Sequence, residues 1–176
     1  MEPKEEKKKE SALNINEEFD FNFAKKIPKA LRWILVIPVG LLSLFVVQFA
    51  YGFIVNMILK NVSETSIIAL IINGIFGFIK YYIFTIAMVA MAPVNVANKF
   101  KAGIGLSVVP LAIVTGVTFL LIKGTAEAST GYAFPTTQVA VQAIVVVLAT
   151  IAALIYIKME INKGNTTPNT GTELNQ

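Results

Sequence analysis

The stretch of sequence that decides the fold is residues 66–92, which read SIIALIINGIFGFIKYYIFTIAMVAMA. Its one charged residue is Lys80, and Pro93 follows directly after it. At about 1.5 Å per residue, a helix of this length exceeds the roughly 30 Å hydrocarbon core of a bilayer. Because lipid offers no partner to an unpaired backbone group, we expect this run to be a membrane-spanning helix that ends before Pro93.

Three further apolar runs predict an all-α membrane protein, a four-helix transmembrane bundle. The expected helices are about 33–59, 66–92, 102–122 and 137–157. Pro38 and Pro110 fall inside the first and third runs, where each removes a backbone hydrogen bond and is expected to bend its helix. The composition agrees, since 55% of the residues are hydrophobic and 15% are charged, against roughly a quarter charged in a soluble domain.

The missing residue types exclude several kinds of chemistry. The chain has no Cys and no His, which excludes disulfides, thiolate nucleophiles, Cys/His zinc sites and haem ligation, so we expect no metal and no cofactor.

The net charge of +4 comes from lysines at the ends of the apolar runs rather than on one face. That placement indicates orientation in a membrane, and we expect no nucleic-acid partner.

The positions of the basic residues predict the orientation. Four of them precede the first run, two lie between the second and third, and two follow the fourth: Lys25, Lys26, Lys29, Arg32; Lys99, Lys101; Lys158, Lys163. The other two connections carry little net charge. Because cytoplasmic loops retain positive charge, we expect a multi-pass protein of the cytoplasmic membrane with both termini inside.

Both ends of the chain are predicted to be disordered cytoplasmic tails, residues 1–24 and 159–176, around a bundle at 25–158. The first tail alternates Lys and Glu and has little to bury. It ends in Phe19-Asp20-Phe21-Asn22-Phe23, an alternation of rings and polar groups. This strip is interpreted either as a docking site for a partner or, preferably, as rings in the headgroup region beside the first helix.

Lys80 is the anomaly of the sequence. A charge at the bilayer centre costs at least about 2.5 kcal/mol, and no Asp or Glu lies within the four runs to pair with it. Several resolutions are open: a neutral amine, a charged amine solvated by polar side chains, an acidic group on a partner chain, or an anionic ligand. The preferred interpretation is a structural lysine held by carbonyls, hydroxyls and local water.

Other polar residues within the runs extend the candidate site. Asn73 lies on the same helical stripe as Lys80, while Gln48 and Gln142 occur in the first and fourth runs. Polar side chains in lipid seek partners across helices, so these four residues indicate either bundle packing or a hydrated path. A Ser–Lys pair of Lys80 with Ser43 or Ser107 is chemically feasible, but no motif surrounds either serine.

We therefore expect a protein that is not an enzyme. The leading hypothesis is an accessory or scaffold component that packs in the lipid bilayer against itself or another membrane protein. The alternative is a small transporter or channel subunit with Lys80 in an anion-facing site. A polar cavity reaching Lys80 would favour transport, and a dry core with an exposed small-residue face would favour a scaffold.

Overall fold

The structure, a computed structural model, describes residues 11, 13–16, 18–58, 67–127 and 136–166, and these residues form helices without any β-strand. A short 3₁₀ helix, Asn22–Lys26, precedes five α-helices. They are α1 (Lys29–Ile58), α2 (Ile67–Met91), α3 (Val96–Leu106), α4 (Val108–Glu127) and α5 (Thr136–Thr166). Residues 1–10, 12, 17, 59–66, 128–135 and 167–176 lie outside the described part, and they include the first predicted outer connection and most of the second. Residues 123–127, predicted to belong to that second connection, instead continue α4 past the predicted end at 122.

Four helical stretches are long and apolar enough to cross a bilayer, namely Lys29–Val55, Ile67–Met91, Val96–Leu120 and Ala140–Lys163. Each overlaps one of the predicted runs, so the all-helical architecture with four helices of membrane length is confirmed. The outer surface is apolar as well: Phe45, Phe49 and Phe53 of α1 are 72%, 83% and 68% exposed. Such a row of rings is unfavourable in water and favourable in hydrocarbon.

α2 is the central helix, because α1 and α5 both pack along it. Gly40 of α1 allows a close approach, since a Cβ there would lie 2.7 Å from Met88 Cγ and 2.8 Å from Phe84 Cε2. Gly103 of α3 does the same against α5, where a Cβ would lie 2.9 Å from Leu154 Cδ2. Small residues therefore set the spacing of the helices at both crossings.

The third span differs from the prediction, since it is broken at Ser107 and begins earlier than residue 102. Pro110 lies in the first turn of α4 and has no N–H to donate to the Leu106 carbonyl, which accounts for an interruption here. The span starts at Val96, so Lys99 lies on a helix rather than in the predicted connection.

The described residues of the N-terminal segment, 13–16 and 18–24, depart from the prediction that residues 1–24 form a disordered tail, while residues 1–10 lie outside the described part. Phe19 is 3% exposed and Ala24 is fully buried. Phe19 packs in one cluster with Ile157 and Ile161 of α5. The rings that were expected among lipid headgroups instead find an apolar surface on the bundle, which is a more complete burial than a headgroup layer provides.

The last helix also extends beyond the prediction, which placed its end at residue 157 and a disordered tail at 159–176. α5 continues to Thr166, and Ile161 is buried one turn after Ile157 on the same face. The contact with Phe19 gives these extra turns an apolar surface to cover, and this stabilises helix past the lysine at 158.

The N-terminal segment, the end of α2, the start of α3 and the last turns of α5 lie at the same end of the bundle. Phe19 packs with Ile157, and Asp20 contacts Lys99. We call this the charged end, after Asp20, Arg32 and Lys99. The opposite end, where α1 ends and α2 begins, is called the cavity end.

Candidate functional site

A cavity of about 300 Å³ lies towards the cavity end, between α1, α2, α4 and α5. The four residues singled out from the sequence all line it: Gln48 on α1, Asn73 and Lys80 on α2, and Gln142 on α5. Its volume is at the lower limit of sites that hold small molecules, roughly 300–1,000 Å³. The structure thus brings together on one surface polar residues that are far apart in the sequence.

Lys80 has weak partners for a cation near the middle of a membrane-length helix. Its Nζ donates a hydrogen bond of 3.3 Å to Gln48 Oε1 and lies 5.1 Å from the centroid of the Tyr81 ring. A neutral amide oxygen and an aromatic face offset only part of the cost of withdrawing an ammonium group from water. With three donors on Nζ, Lys80 retains the capacity to bind an additional acceptor.

The amide side chains add donors to the same wall. The Tyr51 hydroxyl donates to Asn73 Oδ1, and Lys80 occupies Gln48 Oε1. Each of these amide oxygens accepts a bond from a neighbouring side chain, and the amide N–H groups of Asn73 and Gln48 add further donors to the wall. This wall is positive and rich in donors, and it is suited to a group that is negative and rich in acceptors.

Gln142 approaches the cavity from α5 across a glycine. A Cβ at Gly77 would lie 3.2 Å from both the Nε2 and the Oε1 atom of Gln142. The bare backbone of α2 at this position therefore leaves room for the Gln142 amide beside Lys80, one turn away. Gly77 lies four residues after Asn73 and three before Lys80, so the glycine belongs to the same stripe of α2 as these two polar residues.

Most of the rest of the cavity surface is apolar. α4 contributes Val114 and Val117, and α5 contributes Val141. Towards the charged end the cavity stops at Tyr81 and Val114, which belong to a buried cluster with two residues of α5, Val146 and Ala149. The cavity is therefore amphipathic: most of its polar side chains lie on α1 and α2, and valines make up most of the facing wall, which also holds Thr118 and Gln142.

Neither serine considered as a partner for Lys80 lines this cavity. Ser43 Oγ donates to the Gly40 carbonyl at 2.6 Å, and Ser107 Oγ donates to the Gly103 carbonyl at 2.7 Å. Each hydroxyl is thus engaged by its own helix backbone, which is the usual arrangement for serine within a helix. The structure therefore pairs neither Ser43 nor Ser107 with Lys80.

A buried charge cluster at the charged end was missed by the sequence analysis. Asp20 accepts two bonds from Arg32, with Nη1 3.1 Å from Oδ2 and Nη2 2.5 Å from Oδ1. Lys99 Nζ lies 2.5 Å from the same Oδ1. The side chains are 8% exposed for Arg32, 10% for Asp20 and 0% for Lys99. One carboxylate therefore neutralises one of two buried positive charges.

The remaining positive charge is met by backbone carbonyls at the end of α2. Lys99 Nζ donates to the carbonyls of Val89 at 3.0 Å and Ala92 at 2.7 Å. Arg32 Nε donates to the Met91 carbonyl at 3.1 Å. Carbonyls in the last turn lack partners within the helix and form the negative end of its dipole. The cluster thereby joins the N-terminal segment, α1, α2 and α3.

A tight turn delivers Asp20 to this cluster. Asn16 Oδ1 accepts the backbone N–H groups of Glu18 at 2.9 Å and Asp20 at 3.0 Å. Phe19, between them, has a φ of 57°, in the left-handed region that residues with side chains seldom adopt. This conformation directs the Phe19 ring onto α5 while the Asp20 carboxylate reaches α1 and α3.

The composition held one signal for the cluster. Asp20 is the only aspartate of the chain and Arg32 is its only arginine. Lysine and glutamate supply the other charges, and a bidentate Arg–carboxylate pair is geometrically different from any Lys–Glu pair. The single use of each residue type therefore could have suggested that they meet.

The chain matches no known protein family, no curated protein and no solved structure. What the protein does must be inferred from the cavity and the charge cluster themselves.

Proposed function

We propose that the chain is a multi-pass protein of the cytoplasmic membrane with both of its ends in the cytoplasm. The four helices of membrane length and the exposed phenylalanines of α1 support insertion. The lysines at 25, 26, 99, 101, 158 and 163 support the orientation, because positive charge is retained on the cytoplasmic side. In this orientation the charged end faces the cytoplasm and the cavity lies in the outer half of the bilayer.

Within that membrane we infer a non-enzymatic function, the binding of an anionic solute in the cavity around Lys80, by a small transporter or channel subunit. The observation that carries this proposal is a donor-rich cavity of about 300 Å³ that reaches a lysine near the middle of α2. Ionisable residues at this depth in membrane proteins commonly mark a substrate or ion path.

The contrast between two lysines argues against a purely structural Lys80. Lys99 is fully buried and is satisfied by a carboxylate and two carbonyls, all within 3.0 Å. Lys80 has one amide oxygen at 3.3 Å and an aromatic face. A lysine retained only for stability would be expected to resemble Lys99, whereas Lys80 faces a space with room for a ligand.

Reaction rates of single thiols test this function, and the chain has no Cys of its own to interfere. Thr118→Cys places a thiol in the cavity wall. In membranes, its reaction rate is measured with a negatively charged and with a positively charged methanethiosulfonate reagent. We expect the ratio of the first rate to the second to be about three to ten times the ratio found for a free thiol in solution. Adding Lys80→Met should abolish that preference, because the field that attracts the anion is removed.

Two control positions make the result specific. Thr85 is fully buried on the charged-end side of the cavity, and Leu42 is exposed on the outer face of α1. The controls are Thr85→Cys and Leu42→Cys. Neither thiol should react, the first because it is packed and the second because charged reagents do not enter hydrocarbon. A thiol at 118 that reacts no faster than these two, or equally with both reagents, would contradict an anion site.

A second candidate function is an accessory or scaffold component that packs against itself or another membrane protein. It is favoured by one face of α4, where Ala112 and Gly116 are exposed and a Cβ at Gly116 would meet nothing within 4 Å. Small residues spaced by four allow close helix contact in lipid. Purification in mild detergent tests this candidate, which predicts that a second copy of the chain or another membrane protein co-purifies. Gly116→Leu should then abolish the co-purification and leave the reactivity of Thr118→Cys unchanged.

A further inference from the structure

The cavity has an open side between α1 and α4. Gln48 on α1 is exposed, Val117 on α4 is 50% exposed, and both line the cavity. α1 packs mainly on α2, while α4 packs mainly on α5 and α3. The two rim residues therefore face the surface that, in the proposed membrane arrangement, is covered by lipid rather than by water.

A shallow apolar groove on the outer face of α1 meets the cavity at this rim. It is lined by Phe45, Val46 and Phe49, and it shares Gln48 with the cavity. Beyond the Lys80 amine and its partner Gln48, the cavity thus continues onto an aromatic surface of α1. The valines of α4 form the other side of the same opening.

Resting on the proposed anion site, we propose that the natural ligand is a single-chain anionic amphiphile that enters from the lipid between α1 and α4. Its carboxylate or phosphate accepts bonds from Lys80 and the neighbouring amides. Its hydrocarbon chain lies against Val114 and Val117 and continues over the groove that contains Phe45. A protein with this site would extract or carry such molecules from the outer half of the membrane.

A small hydrated anion fits this cavity less well. An inorganic ion that leaves water needs donors on most sides, because each unsatisfied contact costs desolvation energy. Here most of the polar side chains, Lys80 among them, lie on α1 and α2, while valines make up most of the facing wall, which also holds Thr118 and Gln142. That uneven arrangement matches a ligand with one polar end and one apolar end.

Photolabelling of the full chain in lipid nanodiscs tests this inference. The probe is dodecanoic acid with a diazirine in its chain, and labelled positions are mapped by mass spectrometry. We expect labelling of α4 around Val117 and of α1 around Gln48, with competition by unmodified dodecanoic acid. Lys80→Met should reduce this labelling by about tenfold, the loss of one charge-assisted hydrogen bond, and Lys80→Arg should retain more of it than Lys80→Met does.

Matched variants and probes separate the outcomes. Lys101→Met, an exposed lysine on α3, should leave the labelling unchanged, and Val117→Trp should block it with Lys80 intact. Equal labelling by the neutral dodecanol diazirine would overturn the inference, as would labelling that Lys80→Met does not reduce. If acetate or inorganic phosphate competed as strongly as dodecanoic acid, the ligand would not be an amphiphile. That result would contradict this inference but would be consistent with the proposed anion site. Failure of the thiol-reactivity test at position 118 would remove both.

Discussion

Asp20→Asn is expected to lower the free energy of unfolding by about 3–5 kcal/mol, the cost of leaving buried charge uncompensated. The carboxylate contacts both Arg32 and Lys99, and the substitution leaves two positive charges on side chains that are at most 8% exposed. Asparagine keeps the size of the side chain and one acceptor, so the loss reports charge rather than packing. Unfolding by SDS in mixed micelles of a mild detergent measures it.

Glu18→Gln is the matched control, since it removes an acid two residues earlier in the same turn. Its carboxylate lies 3.9 Å from Lys25 Nζ, and these side chains are 64% and 53% exposed. Exposed pairs of this kind contribute roughly 0–1 kcal/mol, so this variant should unfold almost as the parent does. Equal stability of the Asp20 and Glu18 variants would show that the N-terminal segment does not pack as described.

Lys99→Met is expected to cost about 2–4 kcal/mol, although methionine has a similar length and is apolar. The substitution leaves the Val89 and Ala92 carbonyls without the donor that Lys99 Nζ provides. Both carbonyls keep a backbone donor, Ala92 N–H for Val89 and Val94 N–H for Ala92, and Asp20 keeps its two bonds from Arg32. The loss of the charge-assisted hydrogen bonds from Lys99 Nζ therefore accounts for most of the cost. The same SDS titration measures the effect.

The control is Lys101→Met, two residues along α3 and exposed, for which we expect no measurable change. Combining Lys99→Met with Asp20→Asn gives a sharper test. The double variant should lose less than the sum of the single variants, because removing Lys99 relieves the excess positive charge created at position 20. Strict additivity of the two losses would indicate that Asp20 and Lys99 do not interact.

The four long helices could be predicted from the sequence because hydrocarbon imposes one local rule, that an apolar run must satisfy its own backbone. The ends of the helices did not follow the same rule. α3 begins at Val96, and α5 continues to Thr166, because buried contacts of Lys99 and Ile161 stabilise turns outside the apolar runs. Composition alone carries no information on those contacts.

The candidate site was only partly accessible from the sequence. The helical spacing of Asn73 and Lys80 placed them on one stripe, and the rarity of polar residues singled out Gln48 and Gln142. The cavity itself depends on how far α4 stands from α1, which is a property of tertiary packing. The spacing of residues along one helix gives no measure of that distance.

The charge cluster was least accessible, because its members are far apart in the chain. Asp20 and Lys99 are separated by 79 positions, and Asp20 lies in a segment that reads as a solvated tail. The turn that brings it inward depends on one side-chain oxygen of Asn16 and on a left-handed Phe19. Pattern and propensity disfavour such a conformation, so only the packing of Phe19 on α5 makes it favourable.

The proposed anion site and the proposed ligand both assume four crossings of the membrane with the charged end in the cytoplasm. A measurement of membrane topology tests this assumption most directly. Paired reporters, one active only outside the cytoplasm and one only inside it, are fused after residues 62, 95, 131 and 164 in a bacterial host. The predicted readings are outside, inside, outside and inside. A reporter after Asn95 that reads outside would contradict the topology, since Asn95 precedes Lys99 by four residues at the charged end.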